Sequence, residues 1–303
     1  MKSFKIGEND QGQRLNKFIK KAFLNVPNSL IYKSIRKKNI KINKKALKAD
    51  YILNFGDIVE VYGLDEFFVK KEQKANFKNN CFEKLDIVFE DENILVLNKK
   101  REIMSQPNSK QKNSLIDFVV GYLIKKKEYF PEKENSFTPA FCTRLDTNTK
   151  GLIVAGKNAK ALRSLNKLTR NGQIKKTYIC KVEGIMQKQH EILVGFWTKD
   201  FKKNKATITK DKREFSKKVI TEYFVLNQNK KTATLKVVLH TGKSHQIRAH
   251  MKQINHPIVG DFKYGSRTKA KLQLICCSLQ FDCNEGFLKY LNKKKITLKR
   301  INF

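Results

Sequence analysis

The hydrophobic positions near the start of the chain change from helical spacing to the alternation of strands. Residues 15–22 carry apolar side chains three or four positions apart, and residues 30–35 repeat this spacing, which predicts two short helices. Residues 40–43 and 56–61 alternate between apolar and polar side chains, which predicts two strands. The pattern therefore predicts a compact α/β unit over residues 1–64.

A second and larger domain is predicted beyond a polar stretch. Residues 65–84 are rich in lysine, glutamine and asparagine and poor in aliphatic side chains, which favours a linker. Apolar runs at 86–90 and 94–99 predict a hairpin of buried strands, and residues 114–124 have the apolar spacing of a helix. We therefore expect a second domain over residues 85–303.

The pattern over the rest of this second domain predicts mainly strands. An amphipathic helix is expected at 161–168, a basic surface loop at 200–212, and a loop that enters a short helix at 240–250. Strands are predicted at 152–155, 179–182, 219–226, 232–239 and 272–279.

The charge of the chain points to a polyanionic partner. Lysine and arginine number 64 against 28 aspartate and glutamate residues, so the formal net charge is +36. This excess favours nucleic acid or an acidic membrane surface, although a general bias toward lysine would account for part of it. No apolar run approaches the roughly 20 residues that span a bilayer. The first ten residues lack the apolar core of a signal peptide, so we expect a cytoplasmic protein without a membrane partner.

The cysteines, the histidines and one glycine-rich segment do not match metal or nucleotide sites. The six cysteines show no C-x-x-C spacing, which favours buried reduced thiols. His240, His245 and His250 are five positions apart and do not share a helix face, so no metal is expected. Gly151–Lys157 has the glycine spacing of a phosphate-binding loop, but Asn158 replaces the hydroxyl that would hold magnesium, and the residues between are strand formers.

A single turn carries the most reactive pair of side chains. Arg144 and Asp146 are two positions apart, and in extended backbone both point to one face while Leu145 points to the other. Residues 147–151 are turn formers, and a short apolar strand follows, so the carboxylate lies on a short loop held against a strand. Two interpretations stay open here: a structural Arg–Asp ion pair, and a catalytic carboxylate whose basic neighbour contacts a phosphate-bearing substrate.

Four segments in this order resemble motifs of the RluA-type family of pseudouridine synthases. The family motifs H-R-L-D-x-x-T-S-G, K-x-Y, G-R-T-H-Q-I-R-x-H and HPIxGDxxYG are matched at residues 143–151, 176–178, 242–250 and 256–265. The resemblance implies an α+β fold with a mixed, mostly antiparallel central sheet, flanking helices and a cleft across the middle of the sheet. It also implies an enzyme that isomerises uridine to pseudouridine in RNA.

The N-terminal unit resembles the S-four-type RNA-binding module, which is named after a small-subunit ribosomal protein. Two basic helices followed by a hairpin that ends in GDIVEV carry this resemblance, and a solvated basic face is the alternative interpretation. The resemblance implies RNA contacts by Arg14, Lys17, Arg36, Lys37 and Lys38. The family often combines this module with the synthase domain.

The resemblance also implies roles for residues of the synthase domain. Asp146 is expected to react with the sugar or the base or to remove a proton, Arg248 to keep it ionised, and Tyr178 to stack on the base. The implied RNA contacts are Arg144, Lys176, Lys243, His245 and Gln246. The reaction adds no external atom, so no cofactor is expected.

Three motif positions and the choice of RNA remain open. Thr143, Lys150 and Lys243 stand where the family usually has His, Ser and Arg, which bears on substrate fit and loop geometry. The appended module favours large-subunit ribosomal RNA, with transfer RNA as an alternative, and a monomer is expected. A rival of another class is a non-catalytic RNA-binding factor for ribosome assembly, but such a protein would have no reason to keep a buried Asp146–Arg248 charge pair.

Overall fold

The chain forms two compact units in the computed structural model, which describes residues 1–23, 25–68, 85–107 and 114–303. Both units draw on separated stretches of sequence. The first comprises Met1–Lys84, Ile116–Ala140 and Gly156–Arg163, and the second comprises Leu85–Leu115, Phe141–Ala155 and Ser164–Phe303.

The N-terminal unit begins with three strands and two helices. These are β1 (Lys2–Lys5), α1 (Leu15–Ala22), α2 (Asn28–Arg36), β2 (Ile40–Ile42) and β3 (Ile58–Val61). β3 lies in the middle of the sheet and pairs antiparallel with both β1 and β2. Both predicted helices and both predicted strands are confirmed. The strand β1 was not predicted, because only one of its four residues, Phe4, is buried and no alternation shows.

The core of this unit explains the positions of its basic residues. Leu15, Phe18 and Ile19 on α1 and Ile31 and Ile35 on α2 are buried in one hydrophobic cluster. Since a helix buries one face, the lysines and arginines on the other faces are left in solvent. The five side chains expected to bind RNA are all exposed: Arg14, Lys17, Arg36, Lys37 and Lys38.

The described part of the expected linker is structured. Asp65–Phe67 forms a single 3-10 turn, and Phe67 and Phe68 pack against the N-terminal core. The ring of Phe68 lies 5.8 Å from that of Phe4 and 5.7 Å from that of Phe23. The expectation of a linker from residue 65 is therefore wrong for residues 65–68, because two aromatic side chains add to the core there. The rest of it, residues 69–84, lies outside the described residues.

A buried aspartate joins the start of the chain to residues 135–136 within this first unit. Asp10 is 2% exposed, and its carboxylate accepts hydrogen bonds from Ser136 N at 3.1 Å, Ser136 Oγ at 2.6 Å and Asn135 Nδ2 at 2.7 Å. Gln13 Nε2 donates to Ser136 Oγ at 2.7 Å. Deleting the N-terminal residues would leave these partners unsatisfied, so substitution of surface charges is the better way to test this unit.

The second unit is organised around an 11-stranded sheet. Its strand order is β10-β9-β11-β12-β8-β13-β7-β5-β4, with β14 beside β13 and β6 beside β7. The strands are β4 (Ile87–Glu90), β5 (Ile94–Lys99), β6 (Ala140–Phe141), β7 (Lys150–Gly156), β8 (Ile174–Glu183), β9 (His190–Asp200), β10 (Lys205–Thr209), β11 (Lys217–Gln228), β12 (Thr232–Leu239), β13 (Leu274–Phe281) and β14 (Lys295–Thr297). The pairs from β10 to β13 are antiparallel, and β13 pairs with β7 in parallel. The expected α+β class with a mixed, mostly antiparallel sheet is confirmed.

The described residues contain three further α-helices, and one predicted loop contains a strand. The helices are α3 (Leu115–Lys125), α4 (Ala159–Arg170) and α5 (Gln246–Gln253). The expected surface loop at 200–212 is wrong for Lys205–Thr209, which forms β10. Ala206 and Ile208 on this strand are buried beside α5, but two apolar residues among lysines are too few to show alternation in the sequence.

Two smaller expectations concern the cysteines and the membrane. Five cysteines lie in the described residues and are free thiols, and four of them are buried; Cys81 lies outside the described residues. In the part of the chain that the structure describes, no helix combines the length and the apolar character needed to cross a bilayer.

Candidate active site

The turn that carries Asp146 is fixed by backbone contacts on both sides. Leu145 is buried, and Ser105 Oγ bonds to its carbonyl oxygen at 2.9 Å and to its N–H at 3.2 Å. The N–H of Thr149 donates to the carbonyl of Asp146 at 3.0 Å and closes the turn. Gly151 follows with φ +110°, and a Cβ there would lie 2.2 Å from the carbonyl oxygen of Cys276 on β13. Only glycine allows this close approach of the two strands.

Asp146 forms its ion pairs with α5 rather than with its neighbour in sequence. Its Oδ2 lies 3.0 Å from the NH1 atom of Arg248 and 3.6 Å from Nε2 of His245. The side chain of Asp146 is 28% exposed, whereas those of Arg248 and His245 are 11% and 9% exposed. Within the described residues, no ion pair joins Asp146 to Arg144, so the structural-pair interpretation of Arg144 and Asp146 is wrong.

A second, buried carboxylate holds Arg248 in position. Asp261 Oδ2 accepts a hydrogen bond from Arg248 Nε at 2.7 Å, and Oδ1 accepts one from NH2 at 2.7 Å, which is the two-pronged geometry that suits a guanidinium. The side chain of Asp261 is 1% exposed. Burial by itself would lower the pKa of Arg248, but Asp261 and then Asp146 raise it, so the arginine stays charged.

His245 and Tyr264 form the other support of the carboxylate. The backbone N–H of Ala206 on β10 donates to the hydroxyl oxygen of Tyr264 at 2.8 Å, and that hydroxyl lies 2.9 Å from Nδ1 of His245. Burial lowers the pKa of His245, with Asp146 opposing, which favours a neutral ring. We assign the ring proton to Nε2, which faces Asp146, because the Tyr264 hydroxyl then donates to Nδ1. The Tyr264 ring also lies 4.8 Å from the Arg248 guanidinium carbon.

Tyr178 and Lys176 project from β8 into the same cleft. Burial, followed by the neighbouring Cys276, raises the pKa of Tyr178 well above its usual value of 10, so its phenol keeps its proton. Burial also lowers the pKa of Lys176, with Cys276 and Cys142 opposing. The cleft therefore contains a protonated phenol and a half-buried amine in addition to the carboxylate of Asp146.

The cleft itself is large and carries cations on its walls. Its volume is about 1290 Å³, and Asp146, Tyr178 and Arg248 line it together. The exposed guanidinium of Arg144 lines it from the turn. Further lysines on the walls are Lys176, Lys199, Lys217, Lys218, Lys243 and Lys263. The structure thus brings the three expected catalytic residues into one cavity with positive side chains around it.

The expected RNA contact of Gln246 is not supported by its position. The residue is 2% exposed, and its side-chain amide forms hydrogen bonds within the protein. Its Nε2 donates to Ile220 O at 3.1 Å and Thr221 Oγ1 at 2.9 Å, and its Oε1 accepts from Lys243 N at 3.0 Å. Gln246 therefore fixes the loop before α5, and its amide has no donor left for a nucleotide.

Comparison with known proteins identifies the family. Residues 93–253 match the family model described as RNA pseudouridylate synthase, and residues 13–59 match that of the S4 domain. A curated relative in Mycoplasma capricolum, an uncharacterized RNA pseudouridine synthase, is 34% identical over 98% of this chain and 97% of its own length. The chain belongs to the RNA pseudouridylate synthase family.

Other members of the family resemble it over most of their length. A ribosomal large subunit pseudouridine synthase C of Buchnera aphidicola is 30% identical over 98% of this chain and 88% of its own. A ribosomal large subunit pseudouridine synthase D of Borreliella burgdorferi is 31% identical over 72% of this chain and 68% of its own. The structure of human RNA Pseudouridylate Synthase Domain Containing 1 superposes with a TM-score of 0.56 at 20% identity, covering 73% of this chain and 86% of that one. The pseudouridine synthase fold is therefore confirmed.

Sequence reasoning missed four supporting residues in this synthase. Asp261 and Tyr264 lie in the matched motif that begins at His256, but the motif gives no sign that they hold Arg248 and His245. Ser105 and Lys99 lie outside the four motifs. Lys99 ends a buried strand, where a lysine would ordinarily be assigned to solvent.

Lys99 is fully buried, and it ties three segments of backbone together. Its Nζ donates to the carbonyl oxygens of Lys100 at 2.9 Å, Ile103 at 2.8 Å and Thr147 at 2.9 Å. Thr147 directly follows Asp146, so this ammonium supports the reactive turn from the side of β5. Burial lowers the pKa of Lys99 to about 8, and the negative charge of Asp146 opposes this effect.

We expect Lys99→Met to misplace the turn. The substitution removes the buried ammonium that donates to three carbonyl oxygens, of which, among the described residues, only Thr147 O keeps another donor, the N–H of Glu102, so the free energy of unfolding should fall by about 3 kcal/mol. Because Thr147 O is one of them, kcat should fall about ten- to a hundredfold through a shift of Asp146. Urea unfolding and single-turnover pseudouridine formation measure the two effects. The control is Lys289→Met at an exposed position that lines neither cavity; equal losses in both variants would contradict the assignment.

Proposed function

We propose that this protein converts specific uridines of large-subunit ribosomal RNA to pseudouridine. The observation that carries the proposal is Asp146, held by Arg248 at 3.0 Å in a basic cleft beside the buried Tyr178. The family membership of the chain supports the reaction type. The names of the Buchnera and Borreliella relatives support the large ribosomal subunit as the source of the substrate.

The reaction breaks the bond between the sugar C1′ and the uracil nitrogen, turns the base, and joins C1′ to a ring carbon. A proton leaves that ring carbon, and the ring nitrogen released from C1′ takes one up, so the product is an isomer of the substrate and the balance needs no cofactor. Asp146 can act as nucleophile toward the sugar, as nucleophile toward the base, or as the group that removes the proton. All three roles need an ionised carboxylate, and NH1 of Arg248 lies 3.0 Å from Oδ2 of Asp146.

Tyr178 and Arg144 are proposed to handle the target nucleotide. The phenol of Tyr178 stays protonated, so its ring can stack on the uracil without a charge and its hydroxyl can donate a hydrogen bond. The uridine must leave its stack to reach a carboxylate that lies inside a cleft. Arg144 is exposed at the mouth of the turn, where a guanidinium can fill the vacated position and contact a phosphate. Lys176, Lys243 and His245 line the same cleft.

The test is a pseudouridine map of ribosomal RNA from cells with and without the gene. Loss of one or a few sites in large-subunit RNA, restored by the wild-type gene but not by Asp146→Asn, is the expected result. An unchanged ribosomal map together with missing sites in transfer RNA would move the substrate to transfer RNA. An unchanged map of both would favour the assembly-factor alternative. A monomeric cytoplasmic enzyme completes the proposal, and sedimentation and fractionation test those points.

The basic face of the N-terminal unit is proposed to bind RNA phosphates. We expect Arg36→Gln/Lys37→Gln/Lys38→Gln to make the plot of log affinity against log salt shallower by about 0.7 for each phosphate that the variant no longer neutralises. These side chains are exposed, so folding should be unaffected. The control removes the charges of Lys44, Lys45 and Lys48, which follow β2 on the same unit. An identical change of slope in both triple variants would mean that only overall charge matters.

A further inference from the structure

A second cavity, of about 360 Å³, lies beside the turn that carries Asp146. At two places, consecutive residues line the two cavities. Thr149 lines the cleft and Lys150 this cavity, and in the same way Leu272 lines the cleft and Lys271 this cavity. The backbone N–H of Glu102, another lining residue, donates to Thr147 O at 3.0 Å. The turn that carries Asp146 therefore leads directly from the lining of the cleft to the lining of the cavity.

The lining of this cavity is strongly positive. Five basic and two acidic residues line it: Lys99, Lys100, Arg101, Lys150 and Lys271, with Asp86 and Glu102. The ammonium of Lys99 is fully buried and donates to three backbone carbonyl oxygens, so the cations that a ligand could contact are the other four. Both carboxylates are already in use. Asp86 accepts a hydrogen bond from the Asn98 amide at 2.9 Å, and Glu102 lies 3.3 Å from the ammonium of Lys271.

Two of the cations donate their hydrogen bonds to neutral carbonyl oxygens. Lys150 Nζ donates to the carbonyl of Asn302 at 2.6 Å, and Arg101 donates through Nε and NH2 to the carbonyl of Leu272 at 3.1 and 2.7 Å. Burial lowers the pKa of Lys150, and the charge of Arg101 lowers it further. The two groups thus repel each other across a partly buried space, and an anion placed between them would relieve that repulsion.

We propose that this cavity binds a phosphate group of the RNA strand that flanks the target uridine. The inference rests on the proposed function, because the adjoining cleft is where the uridine would enter. A phosphate matches the lining better than a carboxylate does, since it offers several oxygens to a lysine and a guanidinium at once. Of the lining cations, Lys150 stands at the motif position where the family usually has Ser.

If the cavity binds a phosphate, the loss of its lysines should weaken RNA binding, whereas the loss of two exposed lysines outside the cavity should not. In Lys150→Ser/Lys271→Ser, the slope of log affinity against log salt for a short single-stranded RNA should become shallower by about 0.7, the value for one phosphate. Glu102→Gln removes a competing carboxylate and should steepen the slope. The matched control, Lys230→Ser/Lys231→Ser, removes two exposed lysines at the turn between β11 and β12 and should leave the slope unchanged.

Binding isotherms at several salt concentrations and pseudouridine formation by the wild-type protein are measured side by side. A slope that changes equally in both double-lysine variants would overturn the phosphate site, even if the wild type forms pseudouridine. A slope that changes only in the Lys150/Lys271 variant supports the site, even if the wild type forms none. Failure of the phosphate site and failure of the proposed function therefore give different results. Thermal unfolding of each variant checks that the fold is retained.

Discussion

Asp146→Asn is expected to lower the rate of pseudouridine formation by at least about 10⁴-fold, because the reaction loses its ionised carboxylate. Asparagine keeps the shape of the side chain, and its Oδ1 can still accept the hydrogen bond that Arg248 donates at 3.0 Å. Arg248 also keeps both bonds to Asp261, so its charge stays compensated. RNA affinity should therefore stay within about threefold, as expected for a group that acts in the transition state.

Single-turnover assays on an RNA that the wild type modifies, together with binding isotherms on the same RNA, measure both quantities. The matched control is Asp211→Asn, which removes one carboxylate from an exposed position of the same unit. Near wild-type turnover by Asp146→Asn would show that the carboxylate is not the reacting group. A loss of affinity as large as the loss of rate would show that Asp146 serves binding instead.

Arg248→Met is expected to damage both stability and activity. It removes both hydrogen bonds of Asp261, whose side chain is 1% exposed, and leaves an uncompensated buried charge. Breaking such a pair from one side costs about 3–5 kcal/mol of unfolding free energy. Activity should fall by about 10²-fold or more, since Asp146 loses the cation that holds it in place. Urea unfolding and single-turnover rates at a temperature where the variant is folded measure the two losses.

A double variant separates the two effects. Arg248→Met/Asp261→Leu removes both buried charges together, and apolar replacement of a buried pair is often close to neutral. Stability should therefore largely return, whereas activity should not, because Asp146 still lacks its partner. Lys252→Met, an exposed lysine on the same helix, controls for loss of a charge and should change stability by less than about 0.5 kcal/mol. If the double variant also regained activity, Arg248 would be a structural residue only.

The elements that could be predicted are those whose apolar pattern is long or flanked by turn formers. The helices α1, α2 and α4 and the strands β11 and β12 follow from spacing alone, because each buries one face against a core. The strand β10 was not predicted because its two buried apolar residues, Ala206 and Ile208, lie in a lysine-rich stretch. The linker prediction was wrong at Phe67 and Phe68 because two adjacent aromatic residues in a polar stretch show no helical or strand periodicity.

The sequence by itself determined the family of this protein, through motif order, and the sign of its partner's charge, and it supplied the prediction of the reactive residues. Asp146, Tyr178 and Arg248 lie far apart along the chain, and their residue types already limited the chemistry. Only the tertiary structure decided which groups support them. Three contacts between distant segments show this. Asp146 pairs with Arg248 and not with Arg144, Asp261 binds Arg248, and the buried Lys99 donates to the carbonyl of Thr147. Burial and pairing set the energy of a charge, and neither is a property of a residue's neighbours in sequence.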